Sequence, residues 1–271
     1  MGVPGKGTLI AVGGGEDKAG EMRILRRALE HAPVARRIVI LPSASVDPLW
    51  AAELHVDAFR RLGATTVDIL DVRAREHAAH PAVVESVRQA DLVYMTGGDQ
   101  ARLAALLAGT PVLAALHENM DHGGVVAGTS AGAAAMSATM IAEGAATMRK
   151  GSVRLTPGLG LLPHVVLDTH FTERGRFARI FEAVATHPGL LGMGLAEDTA
   201  IVVRGGEVEV VGAGSVVVVD GREMHSSNAK DAEHDAPLDA ERLIVSTYSH
   251  GRTFPLERAP TALARRGRAK A

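Results

Sequence analysis

The 271 residues carry 29 basic and 31 acidic side chains, a formal charge of −2 that offers no global attraction for nucleic acid. With 46% apolar but only 3% aromatic residues, the core must consist mainly of Val, Leu, Ile and Ala, as in a sheet covered by helices. Cysteine is absent, which excludes disulfides, thiolate metal sites and every cysteine nucleophile.

Thr8–Val12 predicts a buried strand ending in Gly13-Gly14-Gly15-Glu16-Asp17-Lys18. A dinucleotide loop is disfavoured there, because Lys18 takes the place of the third glycine and two acids crowd the phosphate position. The turn is expected instead to expose Glu16 and Asp17 at a cleft. Residues 18–31 have helical spacing, with Met22, Leu25, Ala28 and Leu29 on one face. Arg37–Leu41 predicts a second strand, and Asp47-Pro48 then opens a helix by the N-cap and first-turn proline rule. Thr65–Leu70 predicts a third strand, 82–90 a helix, and Leu92–Met95 a strand running into Thr96-Gly97-Gly98-Asp99-Gln100. Helices at 101–107 and 111–121 lead to the apolar run that meets Gly128-Thr129-Ser130-Ala131-Gly132.

Continuous apolar strands alternating with helices predict a mostly parallel central sheet with helices on both faces. Ligands of such sheets bind beyond the carboxyl ends of the strands, where loops 13–17, 42–45, 96–100 and 128–131 all fall. After residue 137 the texture changes. Val165-Val166-Leu167 predicts a strand leading to Asp168-Thr169-His170-Phe171, and a helix is expected from about 173 to 186. Apolar segments at 199–204, 207–211 and 215–219, joined by glycine-containing turns, predict a C-terminal antiparallel extension. Residues 1–255 read as one α/β domain, and 256–271 as a solvated basic tail. No 18-residue apolar run and no signal-type start is present, so neither membrane insertion nor export is expected, and the cytoplasm is the default compartment.

Gly128–Gly132 is a G-x-S-x-G pattern in strand–turn–helix context, where a serine hydroxyl stands above the strand end. Ser130 therefore reads as a nucleophile, against the alternative of a Gly/Ala turn packed tightly for its own sake. A serine needs a base, and the base an orienting partner. Of the twelve histidines, only His170 lies just past an apolar run, flanked by Asp168 and an arginine cluster. Glu197 sits at a similar glycine-rich strand end, with Asp198 as the alternative partner. The Ala131 and Gly98 amides are the oxyanion donors expected from these turns. No His/Asp/Glu set has metal-ligand spacing, so neither metal nor cofactor is expected.

These motifs, together with Arg174, Arg176, Arg179 and Gly194-Leu195-Ala196-Glu197-Asp198, stand in the order shown by cyanophycinases, which the sequence resembles over roughly residues 8–255. Those are serine peptidases related to α-aspartyl dipeptidase (peptidase E). The resemblance implies a class I glutamine amidotransferase-like (peptidase E-like) fold, a homodimer, and hydrolysis of cyanophycin, a polyaspartate with arginine on each β-carboxyl, to β-Asp-Arg dipeptides. It makes Ser130 the nucleophile, His170 the base and Glu197 its orienter, with Gln100, Asp168, Thr169, Arg174, Arg176 and Arg179 at substrate-lining positions. Arginines suit the substrate's carboxylates, and an acid such as Asp168 suits its guanidinium groups; the competing reading of the arginines is a solvated helix face. Where the family commonly has Asp-Gln-His, this chain has Thr169, which leaves the reaction class intact and opens the question of substrate. An aspartyl dipeptidase, or a non-catalytic binding member of the fold, are the alternatives.

Overall fold

The computed structural model describes residues 6–32 and 37–257. The tail expected at 256–271 lies, from residue 258 onward, outside them. Strands β1 (Thr8–Val12), β2 (Arg37–Leu41), β3 (Thr66–Ile69), β4 (Leu92–Met95) and β5 (Val125–Thr129) alternate with α1 (Arg23–His31), α2 (Pro48–Arg61), α3 (Pro81–Arg88), α4 (Gln100–Leu107) and α5 (Pro111–Asp121). The one-turn α6 (Ala131–Ala134) follows β5. Next come β6 (Thr139–Gly144), β7 (Val153–Pro157), β8 (Val165–Asp168) and α7 (Phe177–Thr186). The remaining strands are β9 (Leu191–Leu195), β10 (Thr199–Arg204), β11 (Glu207–Gly212), β12 (Ser215–Asp220), β13 (Ser226–Ser227), β14 (Ala240–Glu241), β15 (Ile244–Ser249) and β16 (Thr253–Pro255).

An eight-stranded sheet has the order β16-β11-β10-β1-β5-β4-β2-β3. From β1 to β3 its neighbours run parallel, while β10, β11 and β16 are antiparallel. Both faces are buried at β1, β2, β4, β5 and β10, which is why these strands read as near-continuous apolar runs. Ile10, Val12, Ile38, Ile40 and Tyr94 pack with Leu25 of α1 and Phe59 of α2. The intervening Leu9, Ala11, Val39, Leu41 and Val93 pack with Leu103, Leu116, Leu167 and Met193. Each such fully buried aliphatic side chain contributes roughly 1.5–3 kcal/mol of transfer free energy.

A second sheet, β15-β12-β9-β8, helps cover that other face, and α7 closes its outer side through Ile180 and Val184. The expected C-terminal extension is therefore not an appendage. β10 and β11 form the predicted hairpin and join the central sheet, whereas β12 leaves to pair with β9 and β15. The crossing occurs at Gly212, whose φ of 129° and tight approach to the Asp198 carbonyl admit no side chain.

Two helices start later than their spacing predicts. Asp17 accepts hydrogen bonds from the amides of Ala19, Gly20 and Met22 at 2.9, 2.7 and 2.9 Å, so a side-chain-closed turn occupies the stretch before Arg23. Residues 171–176 likewise form a turn, and Arg174 and Arg176 precede α7 rather than riding on it.

Candidate active site

β5 lies between β1 and β4 in the middle of the sheet, and the chain turns sharply at its carboxyl end. Ser130 there has φ 52° and ψ −111°, a strained conformation for a residue with a side chain. The bend is held by the Ser130 amide donating to the Val12 carbonyl at 3.0 Å and the Ala134 amide donating to the Ser130 carbonyl at 2.9 Å. Gly128 and Gly132 are required by contact: a Cβ at 128 would lie 2.7 Å from the Gly132 backbone, and one at 132 would lie 2.4 Å from the Met95 carbonyl oxygen.

His170 follows β8, and its amide donates to the Gly13 carbonyl at 2.7 Å. Its Nε2 is 2.8 Å from the Ser130 hydroxyl, and its Nδ1 is 2.6 Å from Glu197 Oε1. A carboxylate only accepts, so Nδ1 carries the hydrogen and Nε2 is left to accept from the serine. Glu197 stands in the turn between β9 and β10, its amide donating to the Glu173 carboxylate at 3.1 Å. Asp198, the alternative partner, faces elsewhere and accepts from the Asp17 amide at 3.0 Å. The structure thus joins Ser130, His170 and Glu197 into one continuous chain of hydrogen bonds.

Beside the serine, a Cβ built on Gly97 would lie 3.4 Å from Ser130 Cβ, which places the Gly97-Gly98 turn against the elbow. Among the described residues, the amides of Gly98 and Ala131 donate to no other group, so both remain available. Gln100 does not extend freely: its Nε2 donates to the Ile141 and Ala142 carbonyls at 3.0 and 2.7 Å, leaving its oxygen.

Of the other residues expected to line the substrate pocket, Thr169, Arg176 and Arg179 gather around Asp168. This carboxylate, expected to meet a guanidinium of the substrate, is instead buried against two arginines of the chain itself. Arg176 donates to Asp168 Oδ1 at 3.2 Å and to the Thr169 carbonyl at 2.9 Å. Arg179 Nε approaches Asp168 Oδ2 to 3.1 Å, yet both atoms lack a well-directed hydrogen bond. The contact is close but misaligned. Burial pushes the Asp168 carboxyl up despite both arginines, and burial likewise pushes the Arg179 guanidinium down. Arg174 is exposed, and Thr169 is buried beside the base.

The loop after β1 departs from expectation most. Asp17 is partly exposed, but Glu16 is only 4% exposed and faces into the protein, beneath the elbow. Among the described residues no group of three or more His, Asp or Glu side chains is placed to hold a metal ion, and no helix is long and apolar enough to cross a membrane.

The model of peptidase family S51 matches residues 9–211. Over 256 residues the chain is 39% identical to a cyanophycinase of Nostoc sp., spanning 93% of this chain and 86% of that one. With a cyanophycinase of Geminocystis herdmanii the identity is 37% over 251 residues, 91% of this chain and 92% of the other. A crystal structure of a peptidase from an acI-B1 actinobacterium matches with a TM-score of 0.70 at 24% identity, over 94% of this chain and 98% of that one, a likeness of fold. The family match runs from β1 through most of β11 and takes in every strand end that carries the serine, histidine and glutamate: the chain belongs to peptidase family S51 and is a serine-type peptidase.

Proposed function

We propose that this protein is a cyanophycinase that releases β-Asp-Arg dipeptides through an acyl-enzyme on Ser130. The observation that carries the reading is the unbroken Ser130–His170–Glu197 chain at the strand ends of a protein similar to cyanophycinases over nearly its whole length. Ser130 Oγ attacks the backbone carbonyl carbon while its proton passes to His170 Nε2. The resulting imidazolium is stabilised and held in place by Glu197. The amides of Gly98 and Ala131 donate to the oxyanion as charge develops on it. His170 then gives the proton to the leaving amine. Water, deprotonated by the same nitrogen, cleaves the ester and restores the serine.

Arg174, Arg176 and Arg179 outnumber Asp168 in the pocket and present net positive charge to the carboxylates of the substrate. Arg179, whose contact with Asp168 is misaligned, is the one a carboxylate would draw into a bidentate pair. Gln100 and Thr169 complete the lining in this reading. A homodimer in the cytoplasm belongs to the same proposal, and light scattering of the purified protein tests the dimer.

Incubation with cyanophycin, and separately with free α- and β-aspartyl dipeptides, tests the activity by product mass. Release of β-Asp-Arg from the polymer is expected. Cleavage of the dipeptides alone would move the assignment to an aspartyl dipeptidase, the reading that the shorter Thr169 side chain leaves room for.

A further inference from the structure

Glu16 receives more polar contacts than any part of the hydrolytic chain requires of it. The Thr129 hydroxyl donates to Oε2 at 2.6 Å, and the Tyr94 hydroxyl donates to Oε1 at 3.0 Å. His55 Nε2 lies 3.0 Å from Oε1, and the Lys18 ammonium lies 2.9 Å from the same oxygen. His55 Nδ1 faces the Ala51 carbonyl at 2.8 Å. An ammonium, an imidazole and two hydroxyls therefore converge on one buried carboxylate. Burial on its own pushes the carboxyl up, but His55, Lys18 and Thr129 together outweigh it and hold Glu16 well below the usual carboxylate range.

Burying a carboxylate costs several kcal/mol before its partners repay it, so the position of this one matters. Thr129 is the last residue of β5 and the immediate neighbour of Ser130. The serine backbone is strained, and a strained conformation persists only where its surroundings over-determine it. Glu16 supplies the side-chain half of that restraint, while the Val12 carbonyl supplies the main-chain half. The same loop seats the base: a Cβ on Gly14 would lie 2.3 Å from the His170 ring, and Gly13 accepts the His170 amide.

We propose that Glu16 is a positioning residue: through Thr129 it fixes the Ser130 elbow at proton-transfer distance from His170, with Lys18 opposing its charge and His55 and Tyr94 holding its other oxygen. The inference rests on Ser130 being the nucleophile. Misplacing a reacting group by about 1 Å costs on the order of 100-fold in rate, which sets the size of the effect.

The test uses the full chain and the rate of Ser130 labelling by a fluorophosphonate, read by intact mass, beside kcat and KM on cyanophycin. Thr129→Val keeps the shape and removes the hydroxyl. It is expected to slow labelling and kcat by roughly 10- to 100-fold, with KM within about 3-fold. Thr129→Ser, which restores a hydroxyl, should recover most of the loss. Tyr94→Phe removes a donor to the same carboxylate that is not attached to the elbow, and should lower the thermal midpoint with a smaller effect on labelling. Glu16→Gln should resemble Thr129→Val if it folds, and the Thr129 pair decides the matter if it does not. Normal labelling in Thr129→Val, or a loss that Thr129→Ser fails to rescue, would overturn the proposal. Ser130→Ala separates the two failures: if that variant still hydrolyses substrate, the nucleophile assignment falls instead.

Discussion

Two carboxylates, Glu16 and Asp168, are buried at the carboxyl edge of the molecule, and they are solved in opposite ways. Glu16 is met by aligned donors from α2, β4, β5 and its own loop, and its ionised form is favoured. Asp168 is wedged between Arg176 and Arg179 with one contact misaligned, and its ionised form is disfavoured. A fully satisfied network holds one geometry, whereas an under-satisfied one can be re-partnered at little cost. The first lies beneath the serine, where the reaction needs a fixed atom. The second lies beside the histidine, where the proposed function places the charged substrate. Under the two proposals, the contrast puts rigidity on the side of the nucleophile and exchangeable charge on the side that would bind substrate.

The largest effect tests what the two regions share. Ser130→Ala is expected to lower turnover by about 10³-fold or more, because neither region can act without the hydroxyl. Near-normal hydrolysis by that variant would dissolve the comparison altogether.

A next step separates the regions. Arg179→Met leaves the buried Asp168 charge with less compensation and is expected to cost about 3 kcal/mol in a urea titration, whereas Asp168→Asn removes a carboxylate whose ionised form burial already disfavours and should cost less. The double variant removes both charges and should cost clearly less than the sum. Arg179→Met should also raise KM more than it lowers kcat. Strict additivity, or an unchanged KM, would show that the pair neither couples nor meets substrate.

How much of this was legible from residues alone differs between the regions. Ser130, His170 and Glu197 announce themselves because each stands just past the carboxyl end of an apolar strand, and the end of β5 in the central sheet meets those of β8 and β9 in the second. The α1 and α7 starts are misread because Asp17 and the turn at 171–176 consume the stretch with local hydrogen bonds that periodicity does not see. The parting of β11 and β12 into two sheets is decided by tertiary packing at Gly212, since both strands carry apolar runs and the short turn between them reads as one more hairpin. Glu16 is misread for a different reason. An acid in a glycine-rich turn is ordinarily solvated, and its partners His55, Tyr94 and Thr129 lie 39, 78 and 113 residues away. The one local hint is the hydroxyl immediately before the elbow serine.

The smallest effect is the most diagnostic of the contrast, because pH acts on the two carboxylates with opposite sign. Glu16 has a folded pKa below its unfolded value, so its stabilisation is complete above about pH 4.3 and is lost as pH falls below that toward the lowered folded value. Asp168 has a folded pKa above its unfolded value near 3.9, so its contribution is favourable below that and is lost as pH rises through the raised value. Each pKa unit of difference corresponds to about 1.4 kcal/mol. Thermal midpoints measured between pH 3 and 7 should therefore fall steeply at the acid end in the parent protein and less steeply in Glu16→Gln. Asp168→Asn should leave that acid limb in place and alter only the region above it. If the acid limbs of parent and Glu16→Gln run parallel, the carboxylate beneath the serine is not held ionised by its neighbours, and the rigidity assigned to that side has another source.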